Sequence, residues 1–233
     1  MNEIIEIKDG TFCEQEEGGL AHVYRNAQGL RVPSVTQALA FVGLVDFSRV
    51  NPDVLQRKRL IGIAVHAACE YIDSPEKGGD LDWGTVHPDV VPYVLAYEKF
   101  CSEVKFQVQA VEEAGICKAF GMEFGYRIDR RGVFADGMPA IVELKCGYKE
   151  EVSWPLQLGA YTLPSPKLTT GKYKEYFRLA VQLRKDASYK VHSYEKPSDQ
   201  RHFLSCLSIT WLKMNHKFQL PQVPDEIGVD EDA

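Results

Sequence analysis

The sequence predicts an α/β fold, in which a mixed β-sheet is flanked by helices and preceded by an N-terminal β-hairpin. Three observations favour this class. Apolar residues recur at helical spacing in two long windows, 54–72 and 88–104. Short alternating segments separated by glycine and Asp-Gly turns follow between 106 and 146. Helical and strand patterns then alternate towards the C-terminus, as they do in α/β proteins.

The first 43 residues predict short strands and one short helix. Strands are expected at 4–8, 21–25 and 30–32, the last two joined by a turn at 26–29. Ser34 is a suitable N-cap for a helix that ends at Gly43. The N-terminal region is therefore expected to form a hairpin ahead of the first helix.

The rest of the chain alternates between the two patterns. Pro155 is tolerated only in the first turn of its helix, and Ser198 or Asp199 could cap the last helix, which reaches Asn215. The expected strands are 108–112, 116–120, 123–131, 140–146, 176–184 and 190–195, and the expected later helices are 154–163 and 198–215.

Composition and length indicate an ordinary globular protein. The chain has 233 residues, of which 45% are hydrophobic and 26% charged, enough for one substantial core. We expect one domain over 1–223 and a disordered acidic tail over 224–233. No apolar window reaches the length of a membrane span and no signal sequence is evident, so a cytoplasmic protein without membrane contact is expected.

The six cysteines are scattered, with no CxxC pair and no zinc-site spacing. They are interpreted as reduced thiols. Only Cys206 lies beyond position 146, so the clustered C-terminal cysteines of an iron–sulfur site are missing. No iron–sulfur cluster is expected.

The formal charge of −6 is unfavourable for binding a polyanion. Five of the 33 acidic residues lie in the tail, however, so the remainder is nearly neutral with its 27 bases. Residues 167–190 carry seven bases against two acids. This stretch could line a phosphate track, or it could simply be a solvated face around a strand.

A candidate reaction centre lies at the end of an apolar strand. Strand alternation places Glu143 and Lys145 on one face and Leu144 on the other. If the turn at Asp136-Gly137 closes a hairpin, Asp129 lies opposite Glu143. Two carboxylates beside an ammonium group would suit a hard divalent cation and phosphodiester hydrolysis. The alternative is an exposed Glu/Lys pair without a function.

Three motifs follow one another in the chain: GYRIDR at 125–130, IVELKCG at 141–147 and QLGAY at 157–161. Their order resembles that of the PD-(D/E)XK nuclease superfamily, and best its RecB-like exonuclease branch. The resemblance implies a restriction-endonuclease-like core. It also implies that Asp129, Glu143 and the Leu144 carbonyl bind Mg2+ or Mn2+, that Lys145 is catalytic, and that Gln157 and Tyr161 support the site. Tyr161 could equally be a core residue.

The resemblance extends upstream to GIAVHAACE at 62–70, where it implies that His66 is a metal ligand. A lone histidine on an apolar helix is more often a core residue. An imidazole ligand would make manganese at least as suitable as magnesium. Glu70 and Glu123 are weaker candidates, and neither Glu112 nor Glu113 is selected.

Two further segments bear on the resemblance. PSVT at 33–36 is similar to a segment of some phage-type and mitochondrial exonucleases of the superfamily, although a helix N-cap explains it equally well. Cys146 stands where Thr or Ser usually follows the lysine, which removes a strong hydroxyl donor.

The predicted function is a metal-dependent deoxyribonuclease, with exonuclease action favoured by the RecB-like motifs. Its expected partners are single- or double-stranded DNA and a helicase or recombination protein, in a phage-type replication, recombination or repair context. The alternatives are a structure-selective endonuclease, a catalytically idle nucleic-acid-binding protein and a metalloprotein that does not act on nucleic acid. Dispersal of the bases in 167–190 over the fold would favour the last of these.

Overall fold

The computed structural model describes residues 4–8, 11–15, 22–48, 50–74, 81–147, 149–168 and 172–221. The predicted acidic tail and the domain boundary at 223 lie outside these residues. None of the described helices is long and apolar enough to cross a membrane.

An antiparallel sheet forms the N-terminal region, with strands in the order β1 (Ile4–Lys8), β2 (Thr11–Gln15), β3 (His22–Arg25) and β4 (Arg31–Val32). The predicted hairpin is confirmed as β3 and β4. Asn26 closes its turn, because the side-chain Oδ1 accepts hydrogen bonds from the N–H groups of Gln28 and Leu30. Strand β2 was not predicted, since its polar composition does not distinguish it from a loop.

The second sheet is mixed, as predicted. Its strands are β5 (Gln107–Ala119), β6 (Met122–Val133), β7 (Pro139–Lys145), β8 (Phe177–Leu183) and β9 (Tyr189–Tyr194). They lie in this order in the sheet, with β7 and β8 parallel and every other pair antiparallel. Helix α4 (Ser153–Tyr161) makes the crossover that the parallel pair requires.

Strand β5 is continuous, so the prediction of two strands at 108–112 and 116–120 was wrong. Gly115 does not interrupt the strand; it makes room for the ring of Tyr126 on β6. A Cβ atom at Gly115 would lie 2.6 Å from the Tyr126 hydroxyl. Glycine here permits a close side-chain approach and does not mark a turn.

Helices cover both faces of the second sheet. The helices are α1 (Val35–Phe41), α2 (Pro52–Asp73), α3 (Val91–Val104), α4 (Ser153–Tyr161) and α5 (Ser198–Asn215). Helices α2 and α3 pack on one face, against Val142, Leu144 and Val181. Helices α1, α4 and α5 pack on the other face, against Ile141 and Ala180.

One of the predicted helix caps is present and the other is not. Ser34 and Gln37 form a complete capping box at the start of α1. Helix α5 instead begins after Pro197 without a side-chain cap. Ser198 is its first residue, and the Asp199 carboxylate accepts a hydrogen bond from Arg178. The prediction that Ser198 or Asp199 caps α5 was therefore wrong.

Gly159 sets the distance between α4 and α5. A Cβ atom there would lie 2.8 Å from the Gln200 nitrogen, which is backbone and cannot rotate away. We expect Gly159→Ala to destabilise the protein by about 1–3 kcal/mol, because this overpacking outweighs the better helix propensity of alanine. The measurement is the free energy of unfolding in denaturant.

The matched control is Gly84→Ala, where the new methyl group would meet only the flexible Asp82 carboxylate at 3.2 Å. Its effect should stay within about 0.5 kcal/mol. Equal stabilities for the two variants would contradict the close contact at Gly159.

Candidate active site

The candidate site lies where β6 and β7 separate, and we call this point the fork. The ladder between these strands ends at the pair Arg130–Val142. Beyond it, the Leu144 N–H donates to Asp129 Oδ2 at 2.7 Å, so a side chain replaces the backbone partner. Continuing the register places Asp129 opposite Glu143, as the sequence predicted.

Residues 33–36 fill the open side of the fork. Pro33 O accepts a hydrogen bond from Gly125 N at 2.9 Å, and Ser34 forms an isolated bridge with Gly125. This segment and β6 line a small pocket that reaches Asp129 and Glu143. The PSVT segment therefore both caps α1 and forms a wall beside the candidate site.

Four predicted residues form one buried hydrogen-bonded chain. Lys145 Nζ donates to Glu143 Oε1 at 3.1 Å and to Gln157 Oε1 at 2.9 Å. Gln157 Nε2 donates to Glu143 Oε1 at 2.7 Å and contacts the Tyr161 hydroxyl at 3.0 Å. Gln157 and Tyr161 face the same way because they are four residues apart on α4. Tyr161 also packs in the core beneath α4, as its alternative interpretation as a core residue predicted.

The charges in this hydrogen-bonded network keep Lys145 protonated. Burial by itself would lower the pKa of Lys145, but the carboxylates of Glu143 and Asp129 raise it above its ordinary value. Burial and the neighbouring charge of Asp129 raise the pKa of Glu143. Burial and the charge of Glu143 raise the pKa of Tyr161, so its hydroxyl stays neutral.

A second set of side chains joins Asp129 from the other direction. His66 Nδ1 on α2 lies 3.6 Å from Asp129 Oδ1 and 3.9 Å from Glu112 Oε1 on β5. One ligand atom from each of these three residues lies within 4.8 Å of the others. We call His66, Glu112 and Asp129 the His66 group. Two carboxylates and an imidazole could hold a divalent cation there. Glu143 and Glu70 are not in this mutually close group.

Glu112 is the residue that the sequence analysis missed. Val111 pairs with Arg130 and Glu113 with Ile128, so Glu112 lies opposite Asp129. Its backbone has φ +48°, a left-handed conformation that is rare for a residue with a side chain and that marks a local distortion of β5. Because side chains alternate along a strand, the adjacent Glu112 and Glu113 are expected on opposite faces of the sheet. One of them should therefore share the face of Asp129, but the sequence does not indicate which one.

The pKa of Glu112 is lowered although the residue is buried. Burial raises it, and the adjacent imidazole of His66 together with the charges of Arg127 and Arg130 lowers it further than burial raises it. Glu112 is therefore held as a carboxylate beside His66 and Asp129. This is the protonation state that a cation ligand needs.

Arg130 connects the helices and strands that carry these residues. Its side chain is completely buried, and it forms ion pairs with Asp73 on α2 and Glu112 on β5. It also donates to the backbone carbonyl of Asp129 at 2.7 Å. The guanidinium group lies 5.7 Å from the ring centroid of Tyr97. One cation thus ties together α2, α3, β5 and β6 behind the fork.

Other residues considered from the sequence take different positions. Glu123 accepts a hydrogen bond from Asn26 at 2.7 Å and lies six residues from Asp129 on β6, roughly 20 Å along the strand. Leu144 has its side chain in the core and its N–H on Asp129. Glu113 pairs with Arg131 at 2.9 Å, away from the His66 group.

The described bases of the stretch 167–190 include two groups, one at each end of β8. Lys167, Lys174 and Arg178 line a cavity beside the first residues of β8. Arg184 and Lys185 lie in the turn that follows the other end of this strand. Five residues of β8 separate Arg178 from Arg184, so the two groups are about 20 Å apart along an extended strand. Whether these two groups bind one polyanion or are solvated surface charges, the two alternatives that the sequence offered, stays a prediction.

Comparison with known proteins leaves the family open. No known protein family and no curated protein matches the chain. Among solved structures, it is similar to a Eubacterium rectale protein titled "Putative exonuclease", with 11% identity and a TM-score of 0.47 over 81% of this chain and 83% of that one. It is also similar to a protein named SSO0001, with 11% identity and a TM-score of 0.36 over 80% and 85%. Likeness at this level identifies no activity.

Replacing Arg130 should be costly because two buried carboxylates depend on it. We expect Arg130→Met to lower the free energy of unfolding by about 3–5 kcal/mol, since Asp73 and Glu112 lose their common cation. Denaturant unfolding measures the change.

Arg131→Met is the matched control. The neighbouring Arg131 pairs with the partly exposed Glu113, and its loss should cost at most about 1 kcal/mol. If both variants lost the same stability, Arg130 would not have the central role assigned to it.

Proposed function

We propose that this protein is a divalent-metal-dependent nuclease that hydrolyses phosphodiester bonds in DNA. The observation that carries the proposal is the convergence at the fork of His66, Glu112, Asp129 and Glu143 beside the protonated Lys145. Exonuclease action is favoured by the resemblance of the ordered motifs to RecB-like exonucleases.

The donor set suits a divalent cation. Glu143 Oε2 is buried and has no hydrogen-bond partner in the described part of the chain. Burial, and after it the charge of Asp129, raise the pKa of Glu143, so its ionised form is disfavoured here and a bound cation would stabilise it. Oxygen donors with one imidazole fit Mg2+ or Mn2+. The ligands would come from His66, Glu112, Asp129, Glu143 and the Leu144 carbonyl.

A bound cation would supply positive charge against the phosphodiester and promote the ionisation of water. Lys145 contributes a second, fixed positive charge at Nζ. Lys145 orients water or a phosphate oxygen as a hydrogen-bond donor through Nζ. Gln157 positions Lys145 and Glu143 by bonding to both.

Arg127 is the cation best placed to meet a substrate phosphate at the fork. It lines the small pocket with Asp129 and Glu143, and about a third of its side chain is exposed. Its Nε lies 3.2 Å from Glu112 Oε2. A guanidinium group can bind phosphate oxygens through two hydrogen bonds at once.

A second candidate follows from the dispersal of the bases in 167–190. If the two groups of bases do not bind one polyanion together, the same cation site could serve a metal-dependent hydrolase whose substrate is not a nucleic acid. Both functions use the same fork residues, so activity on DNA distinguishes them.

Lys145→Ala should abolish cutting of end-labelled linear DNA in Mn2+ or Mg2+, because it removes the fixed charge beside the reacting phosphate. A loss of at least about 100-fold is expected. The rate should also fall to background when a chelator removes the cation. Product release over time measures both effects.

The control for folding is the melting temperature of Lys145→Ala, and the matched charge control is the exposed Lys190→Ala. Cutting by Lys145→Ala at the wild-type rate would contradict the mechanism. Failure of the wild-type protein to cut linear or circular DNA would favour the second candidate.

Glu112 and its neighbour Glu113 allow a direct test of the proposed ligands. We expect Glu112→Gln to weaken Mn2+ binding by about 10-fold or more, because it removes a carboxylate from the His66 group. Glu113→Gln carries the same charge change on the same strand and should leave binding within about twofold. Calorimetric titration with Mn2+ provides the affinities. Equal losses would exclude a specific role for Glu112.

A further inference from the structure

A cavity of about 540 Å³ lies between the C-terminal end of α4 and the start of α5. This volume falls within the range of small-molecule sites. The cavity lies beside Arg178, which pairs with Ile141, whereas Gln182 pairs with Lys145 at the fork. The cavity and the fork are therefore about 13 Å apart along β8. The nuclease proposal does not use this cavity.

Positive charge is concentrated around this cavity. Lys167, Lys174 and Lys196 line it, and all three side chains are exposed. None of these ammonium groups has an ion-pair partner among the described residues. Among the described residues of the lining, Glu175 is the only acid. Three cations against one carboxylate favour an anionic ligand.

The fourth basic group of the lining is already neutralised. Arg178 is buried and donates to Asp199 Oδ2 at 3.1 Å and to the Lys196 carbonyl at 2.9 Å. It holds the first turn of α5 and the backbone of Lys196 in place. The lysines are thus the cationic groups left to bind a ligand, and Arg178 fixes the backbone that carries one of them.

Polar groups in the walls are mostly bound to the protein itself. Gln200 donates to Thr162 Oγ1 at 2.8 Å, Ser165 to the Tyr161 carbonyl at 2.7 Å, and the Tyr176 hydroxyl to the carbonyl of Pro166 at 3.0 Å. The rest of the wall is largely apolar and includes Leu163, Leu168 and Pro197. Such a site matches a ligand that has an anionic group attached to a flat or apolar body.

We propose that this cavity binds a phosphate-bearing small molecule of nucleotide size. Its phosphate group would contact Lys167, Lys174 and Lys196. Its base would lie against the apolar wall around Leu163 and Tyr176. The site is separate from the fork, and ligand binding there needs no metal ion.

The test is calorimetric titration of the full chain with adenosine 5′-monophosphate in the presence of a chelator. Adenosine and inorganic phosphate are titrated separately as probes of the two halves of the ligand. The monophosphate should bind at least about 10-fold more tightly than either, because only it uses both the charges and the apolar wall.

The variant Lys167→Gln/Lys174→Gln/Lys196→Gln should weaken binding of the monophosphate by about 10-fold or more. The control Lys99→Gln/Lys190→Gln/Lys217→Gln removes the same charge from exposed lysines outside the cavity and should change binding by less than about twofold. Melting temperatures verify that both variants fold.

The proposal is overturned if the wild-type protein does not bind the monophosphate, or if both triple variants lose affinity equally. It is also overturned if Lys145→Ala abolishes binding, since the ligand would then occupy the fork. None of these outcomes affects the Lys145 cutting assay, so the two proposals fail independently.

Discussion

The hydrogen bond from the Leu144 N–H to the Asp129 carboxylate holds the fork between β6 and β7. A buried N–H that has lost its strand partner would cost about 1–3 kcal/mol if nothing replaced that partner. Asp129 Oδ2 supplies the replacement, and its other oxygen faces His66 at 3.6 Å. A single carboxylate therefore both completes the sheet and enters the candidate cation site, which restricts where Glu143 and Lys145 can lie.

Buried charge at the fork is balanced from two sides. Arg130 lies beneath it and neutralises Asp73 and Glu112, while Lys145 lies beside Glu143. Removing either cation would leave a carboxylate in a low-dielectric region, where an unpaired charge is costly. The side chains are consequently fixed by pairing and packing, as a preorganised site requires. The pairing is incomplete at Glu143 Oε2, which is buried and has no hydrogen-bond partner among the described residues.

The N-terminal region contributes to the same place. Tyr24 on β3 is buried, and its ring packs directly over Gly125 on β6, so closely that a Cβ atom at Gly125 would overlap it. Next to this contact, Pro33 and Ser34 pair with Gly125, which lies on the part of the β6 edge that does not pair with β7. The hairpin and the capping segment thereby close the open side of the fork, which joins the smaller sheet to the candidate site.

Local periodicity determined much of this protein. Strand alternation is sufficient to place Glu143 and Lys145 on one face, helical spacing places Gln157 with Tyr161, and the Ser34 cap depends only on its neighbours. The mixed α/β class follows from the order of such patterns. The ordered motifs also selected His66 and Asp129 as candidates, and the fold brings them together.

Only the tertiary structure decided which acid lies beside His66. A choice between Glu112 and Glu113 from the sequence would rest on strand alternation, and the distortion of β5 at Glu112 breaks that alternation. The same holds for the continuity of β5, since Gly115 signals a turn until the Tyr126 ring that it accommodates is known. The split of the basic stretch likewise depends on where the ends of β8 lie in the sheet. Register and packing between distant segments set these features, and local sequence carries no signal for them.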